Sequence, residues 1–311
     1  MRINSHQRAF KKEHSEKEKE LGRKPDWLRI KIPIGKNYAE LKKVMRGQKL
    51  NTVCEEARCP NISDCWNRRT ATYMILGDTC TRSCGFCSVK VGIPNELDRD
   101  EPRRVAESVI ALNLKHVVIT SVNRDELRNG GAEIFAETIR LINEALPDTT
   151  IEILIPDFKG EESAFEIIMQ NQPTILNHNL ETVPSLYHVV RPQAKYERSL
   201  KVINWFHNRG LITKSGLMVG IGEQPDQVLD VMRDLRENGC EILTIGQYLK
   251  PTSVHLPVDR YVTPDEFLMY KTEGLKMGFA VVESNPLVRS SYHADEQAEL
   301  VLKKRAESTL A

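Results

Sequence analysis

Six of the seven cysteines fall within 34 consecutive residues, in two triplets of different spacing: Cys54, Cys59 and Cys65 as C-x4-C-x5-C, then Cys80, Cys84 and Cys87 as C-x3-C-x2-C. Thiolates are soft metal ligands, so two metal sites are expected. Three ligands per group are more informative than four. A cubane [4Fe-4S] cluster normally takes four thiolates, and three on one loop leave one iron open to a further ligand. From spacing alone a zinc site stays open as well: zinc favours four protein ligands in a closed structural site, and either triplet could recruit a distant histidine or share a cysteine. A disulfide framework fits less well. The cysteine count is odd, no secretory signal precedes the triplets, and a chain of 311 residues does not need covalent staples. Cys240, alone after Glu237, Asn238 and Gly239, reads as a small buried residue entering a strand.

These ligands need a frame, and the hydrophobic pattern supplies one. Apolar runs at 71–76, 116–121, 150–155, 174–177, 213–219 and 241–246 predict strands. Between and after them, helical periodicity marks 101–112, 132–145, 162–170, 183–190, 196–208 and 224–238. Six such βα units, joined by right-handed crossovers, wind into a parallel barrel or partial barrel; an open doubly wound sheet has the same local pattern. The barrel is favoured by where polar residues cluster. Gly77-Asp78-Thr79, Val122-Asn123-Arg124-Asp125, His178-Asn179-Leu180-Glu181 and Gly220-Ile221-Gly222-Glu223 all follow strand C-termini, the rim that carries barrel active sites. Ahead of the barrel lie an extended segment at 25–35, a short helix at 38–45 and the first triplet; behind it come a helix at 263–277, a strand at 279–283 and a tail containing Arg289-Ser290-Ser291-Tyr292. The expected organisation is a polar, mobile tail at 1–24, an N-terminal extension at 25–70, the barrel at 71–278 and a C-terminal extension at 279–311.

Net charge is only +1 but unevenly placed: residues 1–49 carry fifteen Lys/Arg against six Asp/Glu, leaving the rest of the chain at −8. A basic front can steer an acidic protein partner, although a solvated tail has the same composition. Nucleic-acid binding is not expected, since aromatics are not interleaved with the charges and no such motif follows. No apolar run reaches 18 residues, so no membrane span is expected. The four glutamates among the N-terminal lysines differ from an acid-poor transit peptide, which points to the cytoplasm.

The second triplet has an aromatic residue just before its last cysteine, Thr79-Cys80-Thr81-Arg82-Ser83-Cys84-Gly85-Phe86-Cys87, and resembles the signature of radical S-adenosylmethionine (SAM) enzymes. From about residue 25 to residue 294 the chain further resembles the lipoyl synthase family. The resemblance is carried by Asn51-Thr52-Val53-Cys54-Glu55-Glu56-Ala57-Arg58-Cys59-Pro60-Asn61, by Met74-Ile75-Leu76-Gly77-Asp78, and by Asn177-His178-Asn179-Leu180-Glu181-Thr182-Val183-Pro184. Lys214-Ser215-Gly216-Leu217-Met218-Val219-Gly220, Gly246-Gln247-Tyr248-Leu249 and Arg289-Ser290-Ser291-Tyr292 extend it. Two positions depart from the family pattern: Asn123 stands where Asp is frequent and Asn285 where Gly is expected.

The resemblance implies an α/β fold, a partial (β/α)6 TIM-like barrel holding two [4Fe-4S] clusters. Cys80, Cys84 and Cys87 would bind the cluster whose open iron chelates SAM, and Cys54, Cys59 and Cys65 the auxiliary cluster, with Ser291 as an unusual fourth ligand beside Arg289. Asn123, Glu181 and Arg191 are the candidate SAM contacts at the rim. The activity implied is insertion of sulfur at C6 and C8 of an octanoyl chain on a carrier lysine, with the auxiliary cluster as sulfur donor. Implied partners are octanoylated lipoyl carrier domains of 2-oxoacid dehydrogenases or the glycine cleavage H protein, a ferredoxin or flavodoxin reductant, and an iron-sulfur carrier for cluster repair. Rival readings are a biotin-synthase-like or methylthiotransferase-like sulfur inserter, disfavoured because the extra triplet precedes the SAM triplet, and a non-enzymatic iron-sulfur carrier, which needs no open iron. The Gly220 to Glu223 turn lacks the third glycine of a dinucleotide loop, and is expected to be a tight turn that lines the SAM site.

Overall fold

A computed structural model describes residues 4–29, 36–57, 59–68, 70 and 72–310. Arg58, Ala71 and most of the expected extended segment, Ile30 to Gly35, lie outside the described residues. The chain begins with α1 (Ser5–Glu20), α2 (Lys36–Gly47), β1 (Asn51–Thr52), α3 (Val53–Glu56) and α4 (Ile62–Asn67). Then come β2 (Thr72–Ile75), β3 (Thr79–Cys80), β4 (Lys90–Val91), α5 (Glu101–Leu112), β5 (His116–Ser121), α6 (Ala132–Ala145), β6 (Thr150–Leu154), α7 (Glu162–Met169) and β7 (Ile175–Asn177). The last part holds α8 (Tyr187–Val190), α9 (Tyr196–His207), β8 (Ile212–Val219), α10 (Pro225–Glu237), β9 (Ile242–Gln247), α11 (Pro264–Lys276), β10 (Val281–Ser284) and α12 (Ala294–Leu310). All six expected barrel strands form, as β2 and β5 to β9. The helix expected at 183–190 is divided into a 3-10 turn, Pro184–Leu186, and the single α turn of α8.

The main sheet runs β1-β2-β5-β6-β7-β8-β9-β10, parallel throughout except for β1, which pairs antiparallel with β2. Strand order follows chain order. A doubly wound sheet reverses its order at a switch point, and this one does not, so every crossover winds the same way and the sheet curls around one side. Side chains alternate accordingly. On β9, Leu243 and Ile245 pack with Leu200 and Ile203 of α9 and Val228 and Val231 of α10, whereas Thr244 and Gly246 line the interior cavity. Deeper inside, Lys214 Nζ meets Glu152 Oε2 at 2.9 Å and Asn177 Nδ2 donates to Glu152 Oε1 at 2.8 Å. Both charged side chains are fully buried. Removing one partner of such a pair leaves an unmatched buried charge, a change that costs about 3–5 kcal/mol.

Two boundaries differ from the sequence expectation. The polar stretch expected as a mobile tail forms α1, opened by a reciprocal Asn4–Gln7 capping box and docked on the barrel. Gln7 is fully buried and donates from Nε2 to Ser83 O (3.1 Å) and Val189 O (3.0 Å). Phe10 joins Val190, Ile221, Tyr248 and Leu256 in a small core, Lys17 pairs with Asp259 at 2.6 Å, and Glu18 accepts from Val258 N. Composition hides this docking because one phenylalanine and a few long-range hydrogen bonds carry it. At the other end, β10 continues the parallel sheet beyond residue 278, so the C-terminal extension is structurally part of the barrel wall. Asn285 does not adopt a left-handed φ; its N–H donates to Ile245 O, and its carbonyl accepts from Val288 N. The position therefore does not demand glycine.

Candidate active site

The second triplet sits on the loop that follows β2. β3 and β4 pair briefly around it, Gly92 N donates to Cys80 O, and Cys87 N donates to Cys84 O. From outside, Gly85 N donates to Val190 O while Gly85 O accepts from Leu256 N. His255 Nε2 lies 2.9 Å from Cys87 O, an oxygen that can only accept, so that nitrogen carries the proton. Cys80 Sγ accepts from the backbone N–H of Arg82 (3.4 Å) and of Asn123 (3.3 Å). Burial, then the neighbouring thiols of the same triplet, push Cys87 up to about 12; burial likewise pushes Cys84 up to about 11, with Arg191 opposing and Cys80 adding to the rise.

The first triplet spans α3, the turn after it and α4. Thr52 caps α3, its Oγ1 accepting from Glu55 N, and Cys59 N donates to Cys54 O. Asn61 Nδ2 donates to Leu287 O at 2.7 Å, tying this segment to the C-terminal tail. Fully buried Trp66, next to Cys65, packs on Tyr38 of α2. Burial, then Cys54 and Cys59, pushes Cys65 up to about 12; burial and then Cys59 pushes Cys54 up to about 11. A thiol so placed ionises only if positive charge arrives with the ligand it binds. In a cubane each thiolate binds a different iron, so three thiols spread along one segment can serve one cluster.

A small cavity beside the first triplet is lined by Cys54, Cys59, Cys65 and Ser291, together with Arg289. Ser290 is not on its wall. Next to it a cavity of about 430 Å³ fills the C-terminal mouth of the barrel and reaches Cys80, Cys84 and Cys87 as well as Cys54, Cys59 and Ser291. Asn123, Glu181, Arg191 and Arg289 also lie on this wall, whereas Cys65 borders only the small cavity. Glu181 holds a left-handed φ of 68° and bonds to β8 through Gly216 O and Met218 N. Burial raises its carboxyl, opposed by Arg191 and by the Asn179 amide. Arg191 Nη1 donates to Asn179 O (2.6 Å) and Leu180 O (3.0 Å).

Four buried polar atoms on this wall have no hydrogen-bond partner among the described residues: Ser121 Oγ, Asn123 Oδ1, Asn179 Oδ1 and Arg191 Nε. Each unmet buried group costs about 1–3 kcal/mol, so a polar ligand offering both donors and acceptors fits here. Sequence reading missed Ser121 and Asn179; their rim positions were the available signal. The Gly220–Glu223 turn does close tightly, Glu223 accepting from Gly220 N and Ile221 N, but it does not line the cavity. Gly222 instead faces Phe10 of α1. His178 is a scaffold: Nδ1 donates to Ile155 O and Nε2 accepts from Ser199, with burial and then Arg191 lowering it to about 4. Cys240 is fully buried ahead of β9.

Known proteins resemble this one along nearly its whole length. A model of the Radical SAM superfamily matches residues 74–235, and one of the N-terminal domain of lipoyl synthase of the Radical SAM family matches residues 2–59. Among solved structures, Streptococcus suis SuiB bound to S-adenosylmethionine superposes with a TM-score of 0.57 at 13% identity, over 80% of this chain and 61% of that one. Methylornithine synthase gives 0.51 at 13% identity, over 79% and 82%. Those likenesses show a shared fold, and the family model assigns it to the Radical SAM superfamily. Lipoyl synthase of Rubrobacter xylanophilus is 59% identical over 89% of this chain and 87% of its own, and that of Koribacter versatilis 55% over 88% and 91%. The chain belongs to the lipoyl synthase family. It is a radical SAM sulfurtransferase of lipoyl cofactor biosynthesis, and its cofactors are SAM and two [4Fe-4S] clusters.

Proposed function

We propose a division of labour for this sulfur insertion: Cys80, Cys84 and Cys87 hold the cluster that binds SAM, while Cys54, Cys59, Cys65 and Ser291 hold the auxiliary cluster that donates sulfur. The observation that carries it is the placement of Ser291 on the wall with the three thiols of the first triplet, facing a cavity that reaches the second. The substrates are octanoylated lipoyl carrier domains, and C6 and C8 of the octanoyl chain receive the sulfur. When bound, the clusters and SAM supply one-electron cleavage and sulfide. The chain supplies position. Asn123, Glu181 and Arg191 take the polar groups of SAM. Met74, Val122, Leu154 and Ile155 give the cavity an apolar wall suited to an alkyl chain and hostile to water. Arg289 lies close enough to both Cys59 and Glu181 to act on each electrostatically, a cation between the two cluster sites.

Functionally, residues 71–278 provide the SAM chemistry, and the extensions 25–70 and 279–311 together build the auxiliary site, with α1 of the 1–24 segment packed on the cluster loop through Gln7. A ferredoxin or flavodoxin delivers the electrons, an iron-sulfur carrier repairs the spent cluster, and the reaction takes place in the cytoplasm. Among the described residues no helix is long and apolar enough to cross a membrane. The assay is anaerobic reconstitution with dithionite, SAM and an octanoyl-lysine peptide, read by mass spectrometry. The peptide should gain two sulfur atoms. Replacing Cys54, Cys59 and Cys65 by Ala should leave SAM cleavage without thiolated product; lipoyl product from that variant, with no sulfide added, would remove the donor role.

Gly246 tests how the C-terminal tail is held. A Cβ on this glycine would lie 2.1 Å from Val288 O, a backbone atom, and 3.2 Å from Arg289 Nη1. Gly246→Ala must therefore push residues 288–291 off the barrel mouth. The expected result is a stability loss of about 1–3 kcal/mol from overpacking, with auxiliary iron lost and SAM cleavage retained. Thermal unfolding and iron analysis check it, and a variant with full iron and normal lipoyl formation contradicts it.

A further inference from the structure

We propose that Arg82, between the first two cysteines of the second triplet, is a positioning residue that anchors the cluster loop to the barrel rim and fixes the charge beside its cluster. The proposal rests on the assignment of Cys80, Cys84 and Cys87 to that cluster. Arg82 is 4% exposed although it stands in the middle of a loop. Its guanidinium spans two carboxylates from successive strand ends. Nε and Nη2 donate to Asp125 Oδ2 and Oδ1 at 2.7 and 2.8 Å, and Nη2 also donates to Asp157 Oδ1 at 2.6 Å. Asp157 is fully buried and its other oxygen accepts from Arg198 Nη1 at 3.1 Å. Asp125 N donates to Thr81 Oγ1, so the residue before Arg82 is tied to the same rim segment; Lys159 Nζ meets the Asp125 carbonyl from outside.

A bidentate arginine fork matches a carboxylate in a way no other side chain does. Two such acceptors at right reach hold the backbone between Cys80 and Cys84 in one conformation. The same guanidinium is the cation within the loop itself, and Cys84 already feels it. Reduction of a cluster adds negative charge, so a nearby fixed cation favours the reduced state, and its loss lowers the reduction potential. Outer groups that orient metal ligands are worth about 10–100-fold in affinity or activity.

The test is a dithionite titration of the anaerobically reconstituted full chain, followed by electron paramagnetic resonance with and without SAM. The signal that changes on adding SAM reports the cluster with the open iron. Arg82→Met should make its potential more negative and weaken SAM binding about tenfold or more. Arg82→Lys, which keeps the charge but not the fork, should keep the potential and still lose SAM affinity. The double variant Arg82→Met with Asp157→Asn restores the local charge balance and should return the potential toward that of the unaltered protein. A merely structural arginine would change the unfolding temperature and leave potentials alone. Unchanged potential and SAM affinity in Arg82→Met overturn the proposal; should that variant fail to hold a cluster, unchanged SAM affinity in Arg82→Lys overturns it. A SAM-responsive signal that survives Cys84→Ala instead overturns the ligand assignment.

Discussion

Replacing Cys80, Cys84 and Cys87 together by alanine is expected to halve the iron of the reconstituted protein, from about eight to about four per chain, and to abolish SAM cleavage. The loss should be confined to one site because the triplets are held independently. The second is fixed by β3, β4 and contacts to Val190, Leu256 and Asn123, whereas the first is built on α3, α4 and the tail through Asn61 and Leu287. Burial raises the Cys84 and Cys87 thiols, so removing them takes away no buried charge and the fold should survive. Iron and sulfide analysis with chromatography of the nucleoside products checks both parts. Continued production of 5'-deoxyadenosine by the triple variant would place the SAM chemistry elsewhere.

The barrel was legible because its strands alternate between a helix-facing and a cavity-facing side, and its helices carry continuous apolar stripes. β5 reads this way from sequence: Val117 and Ile119 enter the core while Val118 and Thr120 face the cavities. The cysteines were legible from side-chain chemistry and spacing. What composition concealed is long-range and polar. α1 docks through Gln7, whose partners are 76 and 182 residues away, and no periodicity marks such a contact. Lys214 inside an apolar strand and Glu152 inside another announce a buried pair only when the sheet brings them within 2.9 Å. Arg82, Asp125 and Asp157 each look like ordinary loop polarity until three segments meet. The seventh parallel strand, β10, was expected as a strand, yet nothing local says that it extends the barrel wall.

Ser291 belongs to neither group, since no spacing rule points to an oxygen ligand and only the family resemblance named it. The structure then separates it from its neighbour: Ser291 borders the cavity of the first triplet as well as the large one, whereas Ser290 borders only the large one. If Ser291 is the fourth ligand of the auxiliary cluster, Ser291→Ala should permit SAM cleavage and severely impair sulfur insertion, while Ser290→Ala should be much milder. Ser291→Cys is the stricter variant. A thiolate is softer than an alkoxide and should bind its iron more firmly, so the expected protein has a robust auxiliary cluster that gives up its sulfide poorly. If instead both serines only shape the turn in which Tyr292 N donates to Arg289 O, both alanine variants should cost on the order of 1 kcal/mol of stability and make lipoyl product alike. Product formation measured beside iron content in the three variants decides between these outcomes, and equal, near-normal activity from the two alanine variants would release Ser291 from the ligand set.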